Sequence, residues 1–293
     1  MSQTRRGIIL AGGTGSRLHP ATISVSKQLM PVFDKPMIYY PLCTLMEAGM
    51  AEVLVITTPS DQPAFRHLLG DGSQLGMRID YAAQPSPDGL AQALIIAEDF
   101  LRGGPSALVL GDNLFFGSEF TAATKEANQR ADGATVFGYR VKNPSAYGVV
   151  AFDAEMRAVS LEEKPKKPAS DYAVTGLYFY DADAPALART IRPSTRGELE
   201  ITALNQLYLD RGDLSVTLLG EGTTWLDTGT FASLLRASQF VSVIEERTGR
   251  RIACPEAVAF HNGWITADQL LELAEPLLKS GYGRYLRRLV EAG

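Results

Sequence analysis

The sequence predicts an α/β fold built on a doubly wound, mixed sheet, with antiparallel strands added to it and a helical C-terminal extension. Three observations carry that reading. Short β-branched runs alternate with helical patterns through the first 130 residues, the rhythm of βαβ units. After Gly133 strand-like runs follow one another with little helix between them. From residue 230 onward the apolar spacing becomes helical again.

Taken in order, the buried-type runs 7–10, 53–57, 78–83 and 107–110 are expected as strands, and the segments 37–48, 60–69, 90–101 and 119–130 as the helices between them. That first half is a Rossmann-like nucleotide-binding layout. Segments 134–141, 147–152, 159–163 and 173–180 are expected as antiparallel or edge strands of the same sheet. Helices are expected at 184–191 and 201–210, and a long apolar-periodic helix at 230–246 leaves the sheet. Thr266-Ala267-Asp268-Gln269 has capping-box spacing and opens 270–279, whose leucines repeat at helical intervals. The domain division read from this pattern is 1–240 for the α/β unit and 241–293 for a helical extension packed on it. The chain holds no internal repeat, low-complexity tract or long linker.

Composition narrows the function classes. The 293 residues are 45% hydrophobic and 21% charged, ordinary values for a globular chain with a large core. No apolar run approaches the roughly 20 residues of a membrane helix, and the first six residues are polar with no signal-peptide core behind them. A cytoplasmic location, with no membrane partner, is the expectation. A net charge of −5 argues against nucleic-acid binding through a basic face. Cys43 and Cys254 lie far apart without Cys or His at ligand spacing, so they are read as buried small hydrophobes. His19, His67 and His261 are too scattered for a metal cluster or a triad and are read as surface or capping residues. Tyr39, Tyr40, Tyr178 and Tyr180 are read as core or interface packing.

The chemistry begins at Gly7-Ile8-Ile9-Leu10-Ala11-Gly12-Gly13-Thr14-Gly15-Ser16-Arg17, a short strand breaking into a glycine-rich turn that ends in a cation. Three glycines in four positions would let the backbone take positive φ and turn its N–H groups toward a phosphate. The run is not Gly-x-Gly-x-x-Gly, because Leu18 follows Arg17, and it lacks P-loop spacing. A dehydrogenase would place a ribose-binding acid about 20 residues further on, and Lys27-Gln28 followed by Asp34 does not supply one. A plain solvent turn is the bland alternative; Arg17 and Lys27 weigh against it. Asp112 ends the run Ala107-Leu108-Val109-Leu110-Gly111, at the strand edge where ligands of open α/β sheets collect. Asp227 follows a second apolar stretch. Each is either a helix cap or a metal ligand, and two remote aspartates are the protein share that magnesium takes beside phosphates and water.

Leu10-Ala11-Gly12-Gly13-Thr14-Gly15-Ser16-Arg17-Leu18 with Ser26-Lys27-Gln28-Leu29-Met30-Pro31-Val32 resembles the signature of the sugar-1-phosphate nucleotidylyltransferases. Segments 84–93, 110–113, 147–150, 162–165, 172–178, 196–202 and 225–229 resemble, in that order, bacterial glucose-1-phosphate thymidylyltransferases, so the likeness covers nearly the whole chain. It implies thymidylyl transfer from dTTP to α-D-glucose 1-phosphate, the first step of dTDP-deoxysugar biosynthesis of the dTDP-L-rhamnose type, in a homotetramer with Mg2+ on Asp112 and Asp227. By the same resemblance Arg17 clamps the triphosphate, Lys27 holds phosphate oxygens, and Lys164 and Arg196 bind the sugar phosphate. The nucleotide is met by Leu10, Gly12, Gly13, Thr14, Gly15, Gln84 and Gly89, with Gln84 and the Gly89 backbone on the thymine. The sugar is met by Tyr147, Gly148, Glu163 and Val174. Outside the resemblance, Lys164 beside Lys166 and Lys167 reads as a charged turn, and Glu163 as a strand-end salt bridge. Two departures stand out. Phe231-Ala232 replaces the His-Asp that many relatives carry after Asp-Thr-Gly-Thr. At the second site near subunit contacts, where relatives meet a nucleotide-sugar feedback inhibitor such as dTDP-L-rhamnose, the matching segments Gly220-Glu221-Gly222 and Phe260-His261 are acidic or weakly basic.

Overall fold

A computed structural model describes residues 4–291. The first half runs β1 (Arg6–Ala11), β2 (Pro31–Val32), β3 (Lys35–Pro36), α1 (Tyr39–Glu47), β4 (Glu52–Thr57), α2 (Gln62–Leu69), β5 (Arg78–Ala83), α3 (Gln92–Ile96), α4 (Glu98–Leu101), β6 (Ser106–Leu110), β7 (Asn113–Phe116) and α5 (Ser118–Gln129). The second half runs β8 (Ala134–Arg140), β9 (Gly148–Phe152), β10 (Ala158–Glu163), β11 (Tyr172–Tyr180), α6 (Ala184–Ala188), α7 (Ile201–Asp210), β12 (Leu214–Leu218), β13 (Thr224–Asp227), α8 (Phe231–Thr248), α9 (Pro255–His261), α10 (Ala267–Ala274) and α11 (Gly281–Glu291).

Nine strands form one mixed sheet in the order β10-β9-β11-β6-β1-β4-β5, with β8 beside β11 and β12 beside β8. The chain builds outward from β1 through β4 to β5, then returns to the other side of β1 to lay down β6, all parallel. The direction of winding therefore reverses between β1 and β6, and the carboxyl ends of those two strands frame a crevice. β11 joins β6 antiparallel, and β9 and β10 extend from it as expected.

Both faces of the sheet are covered, which is why the central strands are apolar without alternation. Along β1, Ile9 faces one core layer with Leu42, Val55 and Leu177; Ile8 and Leu10 face the other with Leu54, Leu108 and Tyr178. The C-terminal helices share the first layer: Cys254, Ala257, Leu270 and Leu286 are buried in the same cluster as Ile9. A fully buried leucine or isoleucine such as Ile9, Leu270 or Leu286 contributes about 2 kcal/mol of transfer free energy. A third cluster joins Leu18, Val32 and Met37 to Leu234 and Val241, so α8 braces the segment that follows the glycine-rich turn.

Four expectations are corrected. The helix expected over 90–101 is two short helices that meet at Ala97. The helix expected over 270–279 starts earlier, at Ala267 behind the Thr266–Gln269 capping box, and gives way to a 3-10 turn at 275–277, where Pro276 has no N–H to continue the ladder. β12 is half-buried at the sheet's edge and lacked the apolar signature used to find strands. β7 and β13, four residues each, form a separate antiparallel ribbon; the strand-like stretch before Asp227 is β13 as expected, whereas β7 and the pairing of the two were not foreseen. Among the described residues no helix is long and apolar enough to cross a membrane.

Candidate active site

The turn after β1 opens into the crevice. Of its three glycines only Gly15 adopts positive φ, at 63°, and this corrects the expectation of positive φ along the whole run. Gly15 starts a single 3-10 turn over Ser16–Leu18, closed by Leu18 N–H donating to the Gly15 carbonyl at 2.8 Å; the Thr22 hydroxyl donates to the same carbonyl at 2.7 Å. Gly12 is required by a close approach instead. A Cβ there would lie 2.4 Å from Gln84 Oε1. Gly13 and Thr14 are exposed at the mouth, and nothing crowds Gly13.

A cleft of about 410 Å3 runs from this turn to β10. Leu10, Gly13, Arg17, Gln84, Gly89, Asp112, Tyr147, Gly148, Glu163, Lys164, Val174, Arg196 and Asp227 all line it. Gly12, Thr14 and Gly15 do not, and neither does Lys27, which is 93% buried beneath the floor with its ammonium 2.5 Å from Asp112 Oδ2.

The β7–β13 ribbon brings the two aspartates together. Its register sets Asp227 opposite Asn113, the neighbour of Asp112, and Thr228 grips the Asp112 carbonyl with its N–H at 3.2 Å and its hydroxyl at 2.8 Å. Asp227 is no helix cap: Thr230 and Ser233 form the capping box of α8, while Asp227 Oδ1 accepts from Gly229 N–H at 2.8 Å. Burial raises the Asp227 carboxyl above its ordinary pKa, and Asp112 raises it further, against the pull of Lys27, the Gly229 N–H and Arg17. The guanidinium of Arg17 lies over Gly229, where a Cβ would stand 3.2 Å from its nitrogens. This end of the cleft holds two like charges close together with one buried ammonium beneath them.

The other end is open and multiply paired. Arg196 Nη2 reaches Glu200 at 2.8 Å, Glu163 at 3.4 Å and Glu198 at 3.5 Å, and Lys164 Nζ reaches Glu163 at 3.3 Å. Glu163 is therefore more than the strand-end salt bridge of its bland reading; its Oε2 also accepts from Thr202 at 2.6 Å. Lys164 sits at φ 46°, a left-handed conformation rare for a lysine, pinned by its N–H to the Tyr147 carbonyl at 3.0 Å. A Cβ on Gly148 would meet Thr202 Oγ1 at 2.9 Å.

Between the ends, Gln84 is almost wholly buried, its Nε2 donating to Gln92 at 2.6 Å and to the Gly89 carbonyl at 3.3 Å. Gly89 is glycine for a reason the sequence did not disclose: at φ 114° a Cβ would strike the Leu199 backbone at 2.4 Å.

Several lining residues were not singled out from the sequence. Asn113 donates to Asp112 Oδ1 at 2.9 Å and accepts from Trp225 Nε1 at 2.6 Å, and the Trp225 ring packs 5.1 Å from that of Tyr147. Gly176 lets Asn113 in, since a Cβ there would be 2.6 Å from Asn113 Oδ1. Adjacency to Asp112 was the available signal for Asn113. Tyr178, assigned to packing, is buried and also faces the cleft. Among the described residues no group of three or more His, Cys, Asp or Glu side chains gathers as a metal site, so any cation here rests on the aspartate pair.

The chain is similar to known proteins over nearly its whole length. The nucleotidyl transferase family matches residues 6–243. A protein of Xanthomonas campestris pv. campestris named glucose-1-phosphate thymidylyltransferase is 57% identical over 99% of this chain and 98% of its own length. Proteins of the same name from Neisseria meningitidis and Mycobacterium tuberculosis are each 56% identical over 98% of this chain and 99% of their own length. Among solved structures, a Bacillus anthracis protein described as a glucose-1-phosphate thymidylyltransferase, in complex with sucrose, superposes with a TM-score of 0.74 at 38% identity, over 80% of this chain and 94% of that one. A UDP-glucose pyrophosphorylase complexed with UDP-glucose gives 0.73 over 84% of this chain and all of the other; at 21% identity it speaks for the fold alone.

Proposed function

The chain belongs to the nucleotidyl transferase family, and we propose that it transfers the thymidylyl group of dTTP to α-D-glucose 1-phosphate, releasing pyrophosphate. The observation that carries this is the composition of one cleft: glycine-rich turn and Arg17 at one end, aspartate pair on the floor, Glu163, Lys164 and Arg196 at the other. The name shared by full-length relatives at 55–57% identity supports the choice of nucleotide and sugar.

A sugar phosphate is already an anionic nucleophile, so no general base is needed; the difficulty is bringing two anions together. In this reading an oxygen of glucose 1-phosphate attacks the α-phosphorus of dTTP in line, the new P–O bond forms, and the bond to the β-phosphate oxygen breaks with its electron pair leaving on pyrophosphate. Arg17 stands over the triphosphate, and Lys164 and Arg196 exchange their carboxylate partners for the sugar phosphate. Glu163 is then freed to accept hydrogen bonds from sugar hydroxyls beside Tyr147, Gly148 and Val174. The Gln84 amide, held through its nitrogen, leaves Oε1 to accept from the thymine N–H. Asp112 and Asp227 would hold a magnesium ion, which when bound would neutralise phosphate charge. The donor set fits, since two carboxylates without a third leave positions for phosphates and water. The raised Asp227 carboxyl fits as well, as a like-charge pair that a cation relieves. Lys27 holds Asp112 in place from below. A homotetramer in the cytoplasm, with a nucleotide-sugar inhibitor at a second site, belongs to the same reading.

Pyrophosphate release from dTTP with glucose 1-phosphate, with and without magnesium, tests the proposal. Release that needs both the sugar phosphate and the metal supports it; no release from dTTP while another triphosphate turns over overturns the nucleotide assignment. Direct attack further requires that labelled pyrophosphate not exchange into dTTP when sugar phosphate is absent.

A further inference from the structure

Far from the cleft, the N-terminal turn of α11 meets the loop after α8 around a second cavity. We infer that this cavity, lined by Arg251, Gly281, Arg284, Arg287 and Arg288, binds a phosphate-chain polyanion. Its volume, about 350 Å3, exceeds what a single phosphate fills, and no acidic side chain lines it. In a chain of net charge −5, four guanidinium groups gather around one hollow, and those without a carboxylate partner repel one another unless an anion joins them.

Two of the four are held in place by the fold. Arg251 is fixed by Asp34 and by Glu245, whose Oε2 lies 2.6 Å from Arg251 Nη1. Arg284 Nη1 donates to the carbonyls of Leu278 at 3.3 Å and Lys279 at 3.2 Å. Gly281 completes the arrangement, because a Cβ at that position would lie 2.8 Å from Arg251 Nη2 and would drive the guanidinium out. Such fixed forks are the geometry that matches phosphate oxygens two at a time.

The charge balance sets the size of the ligand. Arg251 is offset by Asp34 and Glu245, and Arg287 by Glu291 at 3.6 Å. Arg284 and Arg288 have no carboxylate partner among the described residues, and neither does Arg250, which lines the adjoining hollow with Arg251 and Arg288. Two uncompensated positive charges on the cavity wall, with Arg250 in the adjoining hollow, match a chain of two or three phosphates better than orthophosphate.

Isothermal titration of inorganic tripolyphosphate into the full-length protein tests the inference, with orthophosphate as the comparison. Arg284→Gln/Arg288→Gln should weaken tripolyphosphate binding about tenfold. Arg288→Gln alone, which loses no hydrogen bond of the fold, should weaken it severalfold. Orthophosphate should bind more weakly than tripolyphosphate, and Lys164→Gln/Arg196→Gln in the cleft should retain the component that the arginine variants lose. Equal tripolyphosphate affinity in the native protein and in Arg288→Gln, or binding that disappears with the cleft variant alone, would overturn the assignment.

Discussion

The two ends of the cleft hold charge in opposite ways. At the β1–β6 end the groups are few, half-buried and in tension: Asp112 and Asp227 stand together over a single buried ammonium, and burial holds the Asp227 carboxyl above its ordinary pKa. At the β10 end they are many, more exposed and mutually satisfied: Arg196, 40% exposed at its side chain, is shared among three glutamates. Buried charge is rigid and unforgiving of a lost partner, whereas exposed charge trades partners at little cost. The first arrangement suits a metal that must sit in one place, and the second suits a sugar phosphate that must enter and leave.

That contrast is most exposed to test at the aspartates. Asp112→Asn and Asp227→Asn should each lower turnover at saturating magnesium at least about 100-fold, because a charge is removed at unchanged size while the β7–β13 ribbon stays paired. Full activity of both variants at limiting magnesium would break the comparison at its root. Next in size is Lys27→Met. Deleting the ammonium leaves Asp112 and Asp227 facing each other without their one buried cation, so urea unfolding should show a loss of about 3 kcal/mol in metal-free protein, together with lost activity. A variant as stable as the native chain would mean that water already screens the pair. At the open end, Arg196→Gln should raise KM for glucose 1-phosphate about tenfold while shifting unfolding free energy by no more than about 0.5 kcal/mol. A large stability loss there would show the β10 end to be as rigid as the other.

The same contrast governs how much was legible in the sequence. Strands β1, β4, β6 and β11 are buried on both sides, and their apolar runs announced them. Thirteen of the proposed site residues line the cleft: the βαβ rhythm placed the glycine turn and Asp112 at strand ends, and the family resemblance supplied the residues of the sugar end and the base-binding pair. What stayed hidden depends on contacts distant in sequence. The ribbon that joins Asp112 to Asp227 pairs residues more than 100 positions apart and has no periodicity of its own. Lys27 gave no sign that it would be buried under the floor, since a lysine near a phosphate turn reads as a direct ligand. Gly12 and Gly89 were read as making room for a ligand or for positive φ, and the structure shows them making room for Gln84 and for the Leu199 backbone.

The smallest effect tests the cause of the tension directly. Because folding raises the Asp227 carboxyl above its unfolded pKa, the ionised group costs the native state stability. That cost is fully present above the raised value and disappears as pH falls through it toward the ordinary aspartate range near about 4. Glu47 and Glu256 are raised by their own burial and shift with the same sign, so native stability alone cannot isolate the effect. The difference between native protein and Asp227→Asn can. In metal-free protein at about pH 7 the asparagine variant should melt higher, by about 2 °C for a chain of this size. The gap should narrow as pH falls toward the ordinary aspartate range, because the native carboxyl takes up its proton before an unfolded one would. Saturating magnesium should reverse the order, because only the native pair gains by binding the cation. A variant that melts lower at every pH without metal would show that Asp227 is held by satisfied contacts, and the two ends of the cleft would then differ in exposure alone.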